Sequence, residues 1–209
     1  MINKIVLGSS SPRRKEILTM LGLPYEVVVP DTDEKEEALS SPQTYVCALA
    51  RAKGNAVAEK LISKGENIDN TLIISCDTIV YYDGFIIGKP ESDMHARLTL
   101  GMLNDSWHTV FSGVCMRCGE QIFDDFCATK VKFAEMSQEE IDEYVSTGEP
   151  MGKAGSYAAQ LRGSAFVERI EGDFFNVMGL PVSTVCNMLK RDFYTDVFEL
   201  SKRLNEVKK

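Results

Sequence analysis

Apolar residues in this chain fall into short runs and helical stripes, and the two alternate along its length. Ile2 to Leu7 has strand character and gives way to a glycine and three serines, while over 13–22 Ile17, Leu18 and Leu21 share one face of a helix that Gly22 ends. Tyr25 to Val29 reads as a second strand. Between 42 and 62, Val46, Leu49, Val57 and Leu61 recur at helical spacing and predict a long helix. Leu72 to Tyr82 and Phe85 to Gly88 flank Asp83-Gly84, a pair suited to a type I′ turn, so a β-hairpin is expected. A helix is predicted at 93–103, and two long strands at 107–117 and 121–134, joined at Cys118-Gly119-Glu120. Ser137 followed by Glu140 is a capping-box signature for a helix through Ser146. Beyond a glycine-rich loop, Ala165 to Ile170 predicts a strand and Leu180-Pro181 opens a helix to about Arg191. From Asp192 on, Phe193, Val197, Leu200 and Leu204 alternate with charges, which fits either a terminal helix or a fraying tail. With no internal repeat or low-complexity segment, the alternation predicts a mixed α/β or α+β fold.

Composition narrows the class of protein. At 209 residues and 44% hydrophobic content the chain can bury a sizeable core as one domain with room for two lobes. No apolar run approaches a membrane span, and the first residues lack the core and cleavage site of a signal peptide. Six scattered cysteines read as free thiols in a reducing compartment, so a cytoplasmic protein is expected. A net charge of −8 argues against broad contact with nucleic acid or an anionic membrane. Any polyanionic ligand is therefore small and gripped by a few convergent cations.

Four places depart from the surrounding pattern in ways that suggest chemistry. At the first junction, Ser9, Ser10 and Ser11 precede Pro12, a good first helical residue, and then Arg13 and Arg14. Helix N-termini bind phosphate through backbone N–H groups and the dipole, and arginine there is unfavourable unless an anion offsets it. The plainer alternative is a serine cap with two solvated arginines. Asp77 stands inside the apolar run TLIISCDTIVYY, where a carboxylate needs a cation, a metal or hydrogen bonds to offset lost hydration. Lys53 falls near the middle of the apolar stripe of the 42–62 helix, pointing inward unless it snorkels to water as Lys60 near the helix end can. Lys89 follows the hairpin, whose register sets it opposite Thr78 and one step from Asp77, on a face the sequence leaves open.

A cationic phosphate cradle beside an embedded acid implies a divalent metal, for which Asp77 and the DTDE residues Asp33 and Glu34 are the acidic candidates. Hard oxygen ligands point to Mg²⁺ or Mn²⁺. GFIIGK and GEPMGK lack the spacing and the Ser/Thr of a P-loop, and Cys115-x-x-Cys118 lacks a second ligand pair for zinc.

Taken in order, GSSSPRR at 8–14, DTDE at 31–34, ALARAK at 48–53, CDTIV at 76–80, GKP at 88–90, KAGSYAAQ at 153–160 and NVMGLP at 176–181 resemble the signature of the Maf family of nucleoside triphosphate pyrophosphatases. The resemblance implies a single domain, taken as 1–191, beyond which 192–209 is read as a C-terminal helical tail. It also implies an extended twisted mixed sheet flanked by helices, and two lobes with a cleft, similar in plan to inosine triphosphate pyrophosphatases. Members are usually metal-dependent cytoplasmic homodimers that cleave a nucleoside triphosphate to the monophosphate and pyrophosphate. By position, the general base falls on Asp77, the phosphate-binding residues on Ser9, Arg13 and Arg14, the acidic loop residue on Glu34, and the two lysines on Lys53 and Lys89. Whether Asp77 acts as base, metal ligand or both stays open. Thr78 and Gln160 resemble the branch acting on dTTP and UTP, whereas the 7-methylguanosine branch usually has glutamine and glutamate there. The family is also associated with restraint of cell division, so a nucleotide-binding regulator without turnover is the alternative. Leu103-Asn104-Asp105 and the long tail depart from the usual pattern.

Overall fold

The computed structural model describes residues 1–32 and 41–206; Asp33 and Glu34 lie outside the described residues. The strands are β1 (Lys4–Gly8), β2 (Glu26–Val27), β3 (Thr71–Tyr82), β4 (Phe85–Ile87), β5 (Trp107–Cys118), β6 (Gln121–Phe133) and β7 (Val167–Glu171). The helices are α1 (Pro12–Met20), α2 (Pro42–Ser63), α3 (Asp93–Leu103), α4 (Gln138–Ser146), α5 (Phe174–Met178), α6 (Val182–Phe193) and α7 (Val197–Glu206). Together the strands form one seven-stranded mixed sheet in the order β2-β1-β3-β5-β6-β7, with β4 paired to β3. β1 runs parallel to both β2 and β3, whereas β3 with β4, and β6 with β7, are antiparallel. This is the mixed α/β class expected from the sequence. Among the described residues no helix is long and apolar enough to cross a membrane.

The chain divides into two compact units, each assembled from separate segments. The first comprises Met1–Asp77, Ser112–Cys127 and Gly179–Lys209, the second Thr78–Phe111 and Ala128–Met178. In the first, Val6 and Ile73 from β1 and β3 pack against Val57, Ala58 and Leu61 of α2. Removing that apolar surface from water stabilises the layer by roughly 1.5–3 kcal/mol per large side chain. Two glycines let helix and strands come this close. A Cβ on Gly54 would lie 2.8 Å from Ser75 Oγ, and one on Gly113 would run into the backbone of α2 at Val46. Ser75 Oγ donates to the Ala50 carbonyl at 2.7 Å, fastening β3 to the same helix. α7 belongs to this unit too: Val197, Leu200 and Leu204 are buried, and Ser201 Oγ donates to the Gly22 carbonyl at 2.6 Å. Of the two readings of the tail, the helix holds over Val197–Glu206.

The second unit has its own core, built from Val80, Leu100, Leu103, Val131, Phe133, Ile141 and Tyr157 among others. Its hairpin has the expected register, Tyr82 opposite Phe85, with Asp83 at φ 47° and Gly84 at φ 85°. Ser137 and Glu140 make both reciprocal bonds of the capping box on α4. One boundary shifts: the segment read as strand from Ala165 is a 3-10 turn over Arg162–Phe166 before β7 begins. α5 is too short for a periodic signal and starts instead from Asp173, whose Oδ1 accepts from Phe175 N–H at 2.8 Å.

Candidate active site

The parallel pair β1 and β3 ends where the unusual residues of the first unit begin. Their last pairing is Gly8 with Ser75, so the chain leaves β1 at Ser9 as β3 continues to Cys76 and Asp77. In parallel sheets, ligands favour this carboxyl edge, where a strand hands over to a helix N-terminus. α1 starts with Pro12 at its first position, carries no acidic residue in its first turn, and receives no side-chain cap from Ser11. Ser9 Oγ instead folds inward and accepts from Ser11 N–H at 3.2 Å and from Arg14 Nη1 at 3.1 Å. Arg14 Nε reaches across to the Gly179 carbonyl at 2.8 Å, and the Cys76 thiol points at that same carbonyl from 3.2 Å. The Gly179 carbonyl therefore ties the start of the third segment to the serine loop through Arg14 and to β3 through Cys76. Burial, and then the neighbouring Arg14 charge, push the Arg13 guanidinium below its usual range. Two cations and the positive end of a helix dipole meet here without a first-turn carboxylate, an arrangement an anion would stabilise.

Lys53 and Asp77 explain each other. Lys53, one residue before Gly54 on α2, is 7% exposed, Asp77 is 8% exposed, and Lys53 Nζ donates to Asp77 Oδ1. The apolar packing that buries α2 against β3 carries both charges out of water, and each is offset by the other. Lys60 takes the plainer course expected of it and bonds Asp31 at 2.9 Å near the surface.

A divalent metal can be tested against these donors. Among the described residues no group of three or more His, Cys, Asp or Glu could hold an ion. Mg²⁺ needs less, since one or two carboxylates suffice when phosphate oxygens and water complete the octahedron. Asp77, a hard oxygen donor beside the cradle, fits that role; Glu34 lies outside the described residues.

Thr78, Lys89 and Gln160 belong to the second unit. Thr78 follows Asp77 on β3 and is half-buried. The hairpin ladder stops at Val80 with Ile87, so Lys89 lies beyond the paired residues and is exposed. Gln160 is half-buried at the end of the KAGSYAAQ segment, and its Oε1 is buried without a hydrogen-bond partner among the described residues. The Gly179 carbonyl escaped sequence reasoning because a backbone acceptor leaves no mark in residue type. The motif NVMGLP that contains it was the available signal.

The family model described as Maf-like protein matches residues 4–192. The dTTP/UTP pyrophosphatase of Bacillus cereus (strain AH820) is 41% identical over 196 residues, spanning 94% of this chain and 98% of that protein. The dTTP/UTP pyrophosphatases of Bacillus anthracis and Bacillus mycoides (strain KBAB4) match with the same identity and coverage. Among solved structures, the Ham1 protein of Staphylococcus aureus aligns with a TM-score of 0.42 and 17% identity over 63% of this chain and 72% of its own.

Proposed function

The chain belongs to the Maf family, and from that premise we propose that it hydrolyses nucleoside triphosphates, dTTP and UTP above others, to the monophosphate and pyrophosphate. The observation that carries the reading is the buried Lys53–Asp77 pair just past the last β1–β3 pairing, where β1 hands over to a helix start bearing two arginines. Water breaks the anhydride between the α and β phosphates. Asp77 accepts a proton from that water while Lys53 fixes the carboxylate at Oδ1. Arg13 and the backbone N–H groups at the start of α1 grip the phosphates, and Arg14, through Gly179 and Ser9, keeps that loop in shape. Lys89 offsets charge on the departing pyrophosphate. A Mg²⁺ or Mn²⁺ ion held by Asp77 and Glu34 would supply further charge neutralisation.

For the base, the support is the pair Thr78 and Gln160. A buried amide oxygen without a partner gains free energy by turning toward a donor, and the ring N3–H of thymine or uracil is one. A cytoplasmic homodimer, implied by the family resemblance, belongs to the same proposal.

The test is pyrophosphate release from dTTP, UTP, dCTP, dATP, dGTP and 7-methyl-GTP with Mg²⁺ and with Mn²⁺. The expected result is a higher kcat/KM for dTTP and UTP than for the rest. Tight binding without pyrophosphate release under either metal would replace the enzyme with a nucleotide-binding regulator, and a preference for 7-methyl-GTP would overturn the base assignment.

A further inference from the structure

Within residues 154–161 of the second unit, Ser156 is held in a conformation that its own chemistry does not favour. Gly155 has φ 70° and Ser156 φ 62°, so two successive residues are left-handed and one of them has a side chain. A Cβ on Gly155 would lie 2.6 Å from Val80 Cγ2, which leaves room for glycine alone. Ser156 is fully buried, and its Oγ has no hydrogen-bond partner among the described residues. Backbone strain of this kind persists only where the surroundings over-determine it.

The surroundings are on both sides. Upstream, Gly155 N–H donates to the Gly88 carbonyl at 3.1 Å. Downstream, Ala158 N–H donates to Tyr144 Oη at 3.3 Å, and Tyr144 donates to Glu149 Oε1 at 2.9 Å. The same carboxylate accepts from Arg162 N–H at 3.2 Å and Gly163 N–H at 2.9 Å. Between these tethers Tyr157 turns inward, and its hydroxyl meets His108 Nε2 at 2.8 Å. His108, Tyr157 and Phe133 stack edge to face with ring centroids 4.8–5.4 Å apart. Leu161 N–H then closes on the Ala158 carbonyl at 3.2 Å, and Gln160 is inside that turn.

We infer that His108 and Tyr157 are positioning residues for nucleotide choice: their hydrogen bond sets the 158–161 turn and thereby the direction of the Gln160 amide. The inference rests on the role proposed above for Gln160. Among the described residues the bond to His108 is the one side-chain hydrogen bond of Tyr157, which turns inward three residues before Gln160. Loosening it lets the strained Ser156 relax and the turn drift. A drift of this kind acts on how tightly a base is read, and leaves the water-activating acid of the first unit alone.

Tyr157→Phe keeps the ring and removes the hydroxyl. It should lower the kcat/KM ratio of dTTP over dATP about tenfold, mostly through a higher KM for dTTP, with kcat near wild type and a modest fall in melting temperature because the buried His108 Nε2 loses its partner. His108→Leu should behave alike, and His108→Gln, which restores a hydrogen-bonding group, should recover part of the ratio. Combined with Gln160→Ala, Tyr157→Phe should add no further loss, because both act at one point. A wild-type ratio in Tyr157→Phe, or losses that multiply in the double variant, would overturn the inference even if His108→Leu fails to fold. Gln160→Ala with an undiminished ratio would sink the role of Gln160, and the inference with it.

Discussion

A buried acid and a buried base that satisfy each other cannot be altered singly without consequence for either stability or chemistry. Asp77→Asn preserves shape and a hydrogen-bond acceptor for Lys53, so the fold should survive, at some cost in stability because the Lys53 ammonium loses its counter-charge; turnover should fall about 10²-fold or more because the amide accepts no proton. Lys53→Met should cost more stability. It leaves a carboxylate 8% exposed with its cation gone, a change that costs about 3–5 kcal/mol in other buried pairs. Denaturant unfolding and pyrophosphate release on both variants separate the two effects: both lose chemistry, and the loss of stability should be the larger in Lys53→Met, where Asp77 keeps its charge but loses the Lys53 donor. Arg13→Ala should act mainly on KM, since its guanidinium stands at the helix start rather than at the acid. These residues were legible in the sequence because each broke a local rule: a lysine in an apolar stripe, an aspartate in an apolar strand, arginines at the wrong end of a helix. The second role of Arg14, as the tie between Ser9 and Gly179, was not legible. It depends on a carbonyl 165 residues away, and no pattern of side chains announces one.

Among the elements, those with local signals matched the sequence reading closely. α3 runs over the residues expected, Asp93–Leu103, and Ser92 caps it by accepting from His95 N–H at 3.2 Å. The hairpin follows from Asp83-Gly84, and α4 from its capping box. Ser137→Ala should therefore cost about 1 kcal/mol, read as a shift in denaturant midpoint with little change in activity of the folded protein. What eluded the pattern were the five-residue helix α5 and the 3-10 turn before β7, where Gly163 packs against Ala158 and the Tyr144 hydroxyl. Such features are set by tertiary contact, and a period needs more length to show. The contact between α2 and β5 gives a sharper test. Gly113→Ala places a methyl group against the α2 backbone at Val46, which no rotamer change relieves. The expected cost is about 1–3 kcal/mol or more, with Tm falling accordingly.

At the scale of the whole molecule, stability should depend on acidity through one histidine. Burial pushes His108 down from 6.5 to about 4, against Tyr157 and Phe133 as its ring neighbours. Folded His108 is neutral over the interval in which an unfolded one gains a proton. Its contribution is thus fully present above pH 6.5 and is lost as the pH falls through that interval to about 4. The loss amounts to about 3 kcal/mol at about 1.4 kcal/mol per unit. Wild-type unfolding free energy should decline more steeply over that range than that of His108→Gln. The division into two units has a consequence of another sort. Ser9, Arg13, Arg14, Lys53 and Asp77 lie in one, Thr78 and Gln160 in the other, and the chain passes from the first to the second between consecutive residues, Asp77 and Thr78. If hydrolysis and base choice divide as proposed, diet and digestion are separately heritable. A lineage that keeps Lys89 can drift through 78–111 and 128–178 toward a new nucleotide while purifying selection holds the rest of the sequence still, so relatives with different substrates should diverge fastest in those two stretches.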